Sequence, residues 1–288
     1  MDYIIKDLIL IISLNNKDIL YKIEYLIKIG ENVIIDKPSF YSVIIGTELL
    51  NGRRVDSHFE FLNRELVKRG WEQKASFVIK DDPTFMAEVF SFVASDPNGV
   101  MFSFGGIGST PDDYTRAIAS KVFRGEDLVT HQEAARIIID KFGDDAYPHR
   151  IEMANLPPRA GLLKNVVTKV PGFYIDERYF FVPGFPSMAK DMVVEALDKF
   201  YPQSPKKYSY NFLVLASENE LIDIMKELPN DLDISCLPQI DGNKRRAEIY
   251  ICDEDREKLD KWYKFFQDQM KTLGLEYKTI SNGKLDQD

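Results

Sequence analysis

The chain has 288 residues, of which 44% are hydrophobic and 29% are charged. These values are typical of a globular protein, and the length predicts about two domains. The net charge of −9 argues against nucleic acid or an anionic membrane surface as a partner. The two cysteines, Cys236 and Cys252, form no CxxC motif, which argues against a disulfide framework or a thiolate zinc site. We expect buried thiols in a cytoplasmic protein.

Residues 1–40 differ from the rest in being rich in Ile, Leu, Lys and Asn. Their longest apolar stretch, from Leu8 to Leu14, falls far short of the roughly 20 residues that a membrane span needs. Asp2 and Asp7 do not suit the basic start of a signal peptide. We therefore expect an N-terminal extension, poorly ordered or arising from an upstream mis-start.

From Tyr41 onward, short apolar runs alternate with segments of helical spacing. The predicted strands are 41–45, 75–79 and 99–104, and the predicted helices are 59–69 and one that begins at Asp82-Pro83. Continuous apolar strands that alternate with helices are typical of a parallel sheet covered on both faces. The fold class that we predict is α/β with a three-layer, mostly parallel sheet.

The rest of the chain completes this domain and adds a second one. We predict helices at 113–123, 130–142 and 186–200, two short strands near Val166 and Phe180, and a Pro-rich linker at 202–207. The first domain thus covers 41–202. Residues 207–275 are predicted to form a small α+β module of order β-α-β-β-α, followed by a polar tail at 276–288.

The strongest motif is the glycine loop, which we define as Gly105-Gly106-Ile107-Gly108-Ser109-Thr110-Pro111-Asp112-Asp113. Glycines after a buried strand allow a tight turn and close approach to a ligand, and a following helix offers unpaired N–H groups to an anion. A purely structural interpretation is equally open. Thr110 is a suitable N-cap, Pro111 suits the first helical position, and Asp113 completes a T-x-x-D capping pattern.

Asp112 and Asp113 would repel a phosphate bound at this helix end. A divalent cation removes the conflict, because Mg²⁺ is typically held by one or two carboxylates together with phosphate oxygens of the substrate. If the loop binds phosphate, the acidic pair therefore predicts a metal ion.

Two other loops follow predicted strands, and the first of them is expected at the same edge of the sheet as the glycine loop. Loop 1, residues 46–56, carries Glu48, Arg53, Arg54 and Asp56, which are suited either to phosphate and metal or to surface salt bridges among themselves. Loop 3, residues 182–188, is a Pro-Gly turn into a helix. The three histidines, at 58, 131 and 149, have no ligand spacing, and we interpret them as surface or cap residues.

Together, these loops resemble the molybdopterin-binding domain family of MoaB, Mog and MoeA, and specifically the N-terminal region of CinA proteins. Residues 46–58 resemble the family's Gly-Asp-Glu-(Ile/Leu)-Leu opening, and 105–115 resemble its Gly-Gly-x-Gly-x-Thr-x-Asp-Asp-x-Thr core. Leu156-Pro157, Pro171-Gly172-Phe173 and Pro183-Gly184-Phe185-Pro186 resemble its later elements. The resemblance covers roughly 41–200, and the module after 207 resembles the one that follows in CinA proteins.

The resemblance implies a molybdopterin-binding fold and a site for a nucleotide diphosphate or a pterin phosphate. On this basis the phosphate-binding residues are Gly105, Gly106, Gly108, Thr110 and Gly184. Asp112 and Asp113 are expected to be catalytic and, with Glu48, to hold Mg²⁺ or a similar ion. Relatives are commonly oligomeric, so we expect a homo-oligomer.

The sequence departs from the family pattern at three positions. Thr47 stands where the family has Asp, His58 where it usually has Asn, and Ser187 where an acidic residue is usual. The chain also ends where longer CinA proteins continue into a nicotinamide-nucleotide deamidase domain, and we expect that activity to be absent.

Three functions follow as hypotheses. The first is metal-dependent hydrolysis of a nucleotide diphosphate such as ADP-ribose. The second is molybdopterin binding or adenylylation, and the third is nucleotide binding without catalysis, which the loss of the acid at Thr47 would favour.

Overall fold

The computed structural model describes residues 35, 37–204, 207–241, 244–281 and 284–285. Most of the predicted N-terminal extension lies outside these residues. Its last two residues, Ser39 and Phe40, open the first strand.

The chain divides into two compact units. The first contains the residues up to Leu62 and Gln73–Ala196, and the second contains Asn63–Glu72 and the residues from Leu197 onward. The sequence predicted a single boundary in the linker at 202–207. The segment 63–72 belongs to the second unit because its side chains bond to residues after 197. The Trp71 indole donates to the carbonyl of Tyr201, and Lys207 pairs with Glu72.

The first unit is built on a six-stranded sheet of order β2-β1-β3-β8-β7-β6. Its strands are β1 (Ser39–Ile45), β2 (Gln73–Ile79), β3 (Gly99–Phe104), β6 (Gly161–Leu163), β7 (Gly172–Ile175) and β8 (Tyr179–Val182). The first four in spatial order are mutually parallel; β7 is antiparallel to β8, and β6 is antiparallel to β7. A two-residue pair, β4 (Val129–Thr130) and β5 (Asn155–Leu156), lies outside this sheet. The prediction of a mostly parallel α/β sheet is confirmed.

The helices follow the strands in the predicted alternation. They are α1 (Thr47–Leu50), α2 (His58–Lys68), α3 (Pro83–Ser95), α4 (Thr115–Arg124), α5 (Gln132–Phe142) and α6 (Pro186–Phe200), with two 3₁₀ turns at Gly143–Ala146 and Arg150–Ala154.

Both faces of the sheet are buried. Every residue of β3 is buried, as are the residues of β1 after Ser39. On one face, the Phe181 ring contacts Phe90 of α3 and Phe123 of α4 at centroid distances of 5.8 and 6.1 Å. On the other face, His58 of α2 stacks on Phe104. Burying one phenylalanine side chain stabilises the fold by roughly 1.5–3 kcal/mol. The layers packed on both faces therefore hold the strand ends from which the loops start.

Two local predictions were wrong. Val166 lies in a turn, in which the Asn165 side chain accepts from the backbone N–H groups of Val167 and Thr168; this side-chain bond replaces strand pairing. Helix α4 begins at Thr115, so Thr110 is not its N-cap and Pro111 is not its first residue.

The second unit contains an antiparallel sheet of order β10-β11-β9-β12-β13. Its elements are β9 (Tyr208–Val214), α7 (Glu218–Lys226), β10 (Asp233–Asp241), β11 (Lys244–Asp253), α8 (Arg256–Thr272), β12 (Tyr277–Ser281) and β13 (Lys284–Leu285). The predicted polar tail therefore contains strand β12, which pairs with β9. Buried Phe212, Ile249 and Phe266 form its core with neighbouring apolar residues.

Both cysteines lie in this second unit as free thiols. Cys252 is buried as predicted, whereas Cys236 is only partly buried. The described part of the chain contains no helix long and apolar enough to cross a membrane.

Candidate functional site

Three loops meet at the carboxyl edge of the parallel strands. The N–H of Gly105 donates to the carbonyl of Val182, at 2.9 Å, which joins the ends of β3 and β8. A Cβ on Gly184 would lie 3.3 Å from the Cα of Gly105, and one on Gly105 would lie 2.6 Å from the carbonyl oxygen of Ile45. The loops after β1, β3 and β8 are thus packed together, and only glycine fits at Gly105.

The first four carbonyl groups of the glycine loop, those of residues 105–108, are bonded to the start of α4. Thr115 accounts for two: its hydroxyl donates to the carbonyl of Gly105 at 2.9 Å, and its N–H donates to that of Gly106 at 3.1 Å. The Arg116 guanidinium donates to the carbonyls of Ile107 and Gly108 at 2.6 and 2.5 Å. Four successive carbonyl oxygens therefore point towards α4.

The N–H groups of the loop must point the other way. In a planar trans peptide the C=O of one residue and the N–H of the next lie on opposite sides. The N–H groups of residues 106–109 therefore point away from α4, and none of them has a hydrogen-bond acceptor among the described residues. Successive backbone N–H groups without an acceptor are the donors that an anion can use.

Arg116 organises this loop from a buried position, and sequence reasoning did not identify it. The residue is 8% exposed, and burial lowers the pKa of its guanidinium, although Asp113 and Glu152 act in the opposite direction. One sequence signal was available: Arg116 shares the buried face of α4 with Ala119 and Phe123, at i+3 and i+7. A charged residue on an apolar helix face requires buried partners, and here they are the loop carbonyls.

The acidic pair of the glycine loop is divided between two environments. One Asp113 carboxylate oxygen accepts from the N–H and the hydroxyl of Thr110, at 2.8 and 2.5 Å. This contact is part of the predicted capping pattern, but it closes a turn that precedes the helix. A Cβ on Gly108 would lie 2.6 Å from the same oxygen, so Asp113 also explains why residue 108 is glycine. Asp112 is exposed.

Loop 1 and loop 3 enclose a small cavity beside this edge, lined by Ile44, Ile45, Glu48, Leu49, Arg54, Val55, Asp56, Ser57, His58, Gly184 and Pro186. Glu48 and Arg54 form an ion pair, with 3.8 Å between Oε1 and Nη1. Asp56 accepts from the N–H groups of His58 and Phe59 and so caps α2. Loop 1 therefore shows the salt bridge that was one of its two predicted roles.

His58 lies in the wall of that cavity and is buried, so its interpretation as a surface or cap residue was wrong. Its ring stacks on that of Phe104, with the ring centroids 4.5 Å apart, and its Nε2 lies 3.2 Å from the carbonyl oxygen of Gly184. Since a carbonyl only accepts, Nε2 carries the proton. Burial lowers the pKa of His58, although the Gly184 bond and Asp56 oppose this, so the ring is neutral at pH 7. By contrast, His131 caps α5 through Nδ1, as predicted.

Thr47 is bonded to an acid from the next loop of the sheet. Its N–H and its hydroxyl both lie 2.9 Å from one carboxylate oxygen of Asp81, which follows β2. A carboxylate thus lies next to position 47, although residue 47 itself is threonine.

The predicted metal ligands do not form a ready-made cage. No group of three or more His, Cys, Asp or Glu side chains in the described part of the chain is arranged to hold a metal ion. Glu48 is thus not clustered with Asp112 and Asp113. A cation here would have to take most of its ligands from phosphate oxygens and water, which is usual for Mg²⁺.

The fold and these loops define an α/β domain with a glycine loop at the carboxyl edge of a parallel sheet, where proteins of this class bind ligands. The model of a family described as a probable molybdopterin binding domain matches residues 42–203. The chain belongs to this family.

Individual relatives support this assignment. A Thermoplasma acidophilum protein is 30% identical over 164 residues, 53% of this chain and 63% of that protein. A Pyrococcus furiosus protein is 28% identical over 257 residues, 82% of this chain and 97% of that protein. The crystal structure of the protein CinA from Thermoplasma acidophilum, of unknown function, has a TM-score of 0.50 and 27% identity, covering 56% of this chain and 97% of that one. The chain is thus similar to CinA, and the match spans less than two thirds of the first of these relatives.

Proposed function

We propose that this protein binds the diphosphate of a nucleotide at the glycine loop and hydrolyses it with the help of a divalent cation. One observation carries the proposal: the N–H groups of residues 106–109 have no acceptor among the described residues, and each lies opposite a carbonyl that is bonded to α4. Phosphate oxygens are the acceptors that such an array of donors fits.

The predicted residues of the glycine loop and Gly184 each have a role in this scheme. Gly105, Gly106 and Gly108 give the loop its close turns, and Gly184 lets the loop after β8 approach it. Thr110 and Asp113 hold the end of the loop through their mutual hydrogen bonds. Asp112, which is exposed, is the side chain best placed to share a cation with a bound phosphate.

A cation is required on electrostatic grounds. A diphosphate at residues 106–109 would lie close to the carboxylates of Asp112 and Asp113, and like charges a few ångströms apart repel by about 1 kcal/mol or more even in water. Glu48 is not clustered with these two carboxylates and pairs with Arg54 instead. A bound cation would neutralise charge on the phosphates and lower the pKa of an attacking water.

The test is release of AMP from ADP-ribose by the full chain with Mg²⁺, with Co²⁺ and with a chelator. We expect metal-dependent release, and a loss of at least tenfold in Asp112→Asn, because the negative charge of the exposed carboxylate is removed while the bonds between Thr110 and Asp113 remain. Asp191→Asn on α6 exchanges another exposed carboxylate and should retain full activity. Turnover by Asp112→Asn equal to that of the control would refute the role of Asp112.

A second candidate is binding or adenylylation of molybdopterin, which the description of the matching family favours. The same donors would then hold the pterin's phosphate. Tight pterin binding without release of AMP under any metal would support this function in place of hydrolysis. Binding of nucleotide without turnover would instead indicate a non-catalytic protein.

A further inference from the structure

Phe185 is an exposed aromatic residue in the loop that packs against the start of the glycine loop. It follows Gly184, which packs against Gly105, and it precedes Pro186 at the start of α6. The side chain is 53% exposed even though the Arg54 guanidinium lies over its ring, at 5.7 Å from the centroid. The ring is therefore held in place from loop 1 while much of its surface remains open.

Single exposed apolar residues are common on protein surfaces and need no explanation. At this edge of the sheet, however, several of them occur. The segments that follow β1, β3 and β8 carry five exposed large hydrophobic residues: Leu50, Val55, Phe59, Tyr114 and Phe185. An apolar surface next to a few oriented polar groups is typical of a site for a small ligand with a planar ring.

We propose that Phe185 is the stacking platform for the planar heterocycle of the ligand, either a nucleotide base or a pterin ring. This inference rests on the proposed function, because it places the ring next to phosphates held by residues 106–109. It assigns the two ends of the ligand to different loops: the phosphates to the loop after β3, and the ring to the loop after β8. Stacking of a base on an aromatic side chain is worth roughly 1–3 kcal/mol, which corresponds to about 5-fold to 150-fold in affinity.

The experiment compares ligands with and without a ring by calorimetry on the full chain, with Mg²⁺ present. ADP is paired with inorganic pyrophosphate, and neopterin triphosphate with inorganic tripolyphosphate, so that each pair differs in the organic part. The variants are Phe185→Ala, Phe185→Tyr, which keeps an aromatic ring, and Phe92→Ala as the matched control. Phe92 is 56% exposed and packs near Tyr41 and Phe77. A thermal unfolding curve of each variant checks that the variant is folded.

We expect Phe185→Ala to lose about tenfold or more in affinity for the ring-bearing ligand while its affinity for the inorganic polyphosphate stays unchanged. Phe185→Tyr and Phe92→Ala should bind as the wild type does. A loss confined to ADP identifies a nucleotide, and one confined to neopterin triphosphate identifies a pterin. If Phe185→Ala binds both ring-bearing ligands normally while polyphosphate still binds, the stacking role is wrong and the phosphate site stands. If no polyphosphate binds to the wild type, the proposed function fails and the platform with it.

Discussion

Thr115 acts on the glycine loop through two separate groups. Its N–H and hydroxyl bond to the carbonyls of Gly106 and Gly105, and the residue is fully buried. A Cβ on Gly106 would lie 2.3 Å from the Thr115 hydroxyl oxygen, and Gly106 has a φ of +67°. Any side chain at residue 106 would clash with the Thr115 hydroxyl. The hydrogen bond of that hydroxyl to Gly105 therefore requires glycine at residue 106.

Thr115→Val should weaken both stability and phosphate binding. Valine has the same shape but cannot donate, so the buried carbonyl of Gly105 loses its partner at a cost of about 1–3 kcal/mol. The peptide group between Gly105 and Gly106 then loses the bond that orients it. We therefore expect a several-fold loss of pyrophosphate affinity. Urea unfolding and calorimetry measure the two effects.

Thr115→Ser keeps the hydroxyl and is the matched control for this experiment. It should bind pyrophosphate nearly as the wild type does. Equal stability and affinity of the valine and serine variants would show that the hydroxyl does not position the loop.

At the scale of elements, α3 and α4 begin in different ways. The Asp82 carboxylate caps α3 by accepting from the N–H groups of Thr84 and Phe85, at 2.9 and 3.1 Å. At the start of α4, Tyr114 makes no side-chain cap. A side chain therefore caps the amino end of α3. No side chain caps α4, which begins next to the unpaired N–H groups of the glycine loop.

Asp82→Ala should lower the free energy of unfolding by about 1 kcal/mol, the usual cost of losing an N-cap. Affinity for pyrophosphate should not change, because the residue bonds only to its own helix. Denaturant unfolding of this variant beside Asp82→Asn, which retains a capping oxygen, measures the effect. A fall in pyrophosphate affinity in Asp82→Ala would mean that the loop after β2 belongs to the binding site.

At the scale of the whole molecule, Asp96 links the elements that form the sheet's opposite edge. Its carboxylate accepts from the hydroxyl of Tyr41 in β1 and from Lys74 in β2, at 2.8 and 2.7 Å, and from the N–H of Asn98. Burial alone would raise the pKa of Asp96, but these bonds outweigh it and lower the pKa to about 2.

This shift makes the stability of the fold depend on pH. The carboxyl binds a proton more readily in the unfolded chain, so its contribution is complete above about pH 4 and is lost as the pH falls towards 2. At pH 7 we expect Asp96→Asn to lower the free energy of unfolding by about 1 kcal/mol, since solvent screening reduces the full value. Unfolding curves of both proteins from pH 7 to 2 should converge at the acid end. A constant difference across that range would contradict the assignment.

The sequence alone was sufficient for those features that depend on neighbours along the chain. Uninterrupted apolar runs predicted β1, β3 and β8, because strands buried on both faces have no polar alternation. The Asp82-Pro83 pair predicted the start of α3, and the helix 186–200 was predicted with its observed bounds. The glycine loop and its place after a buried strand were likewise visible in local spacing, as was the family to which the chain belongs.

Only the tertiary structure decided how the site is arranged, because its contacts join residues that are remote in sequence or point in directions that spacing does not encode. The bond of Thr47 to Asp81 spans 34 positions, and that of His58 to Gly184 spans 126. Arg116 is near its loop in sequence, yet only its burial shows that it fixes the carbonyls and so turns the N–H groups outward. Residue types and periodicity determined where the chain could bind a ligand, and packing determined which groups face it.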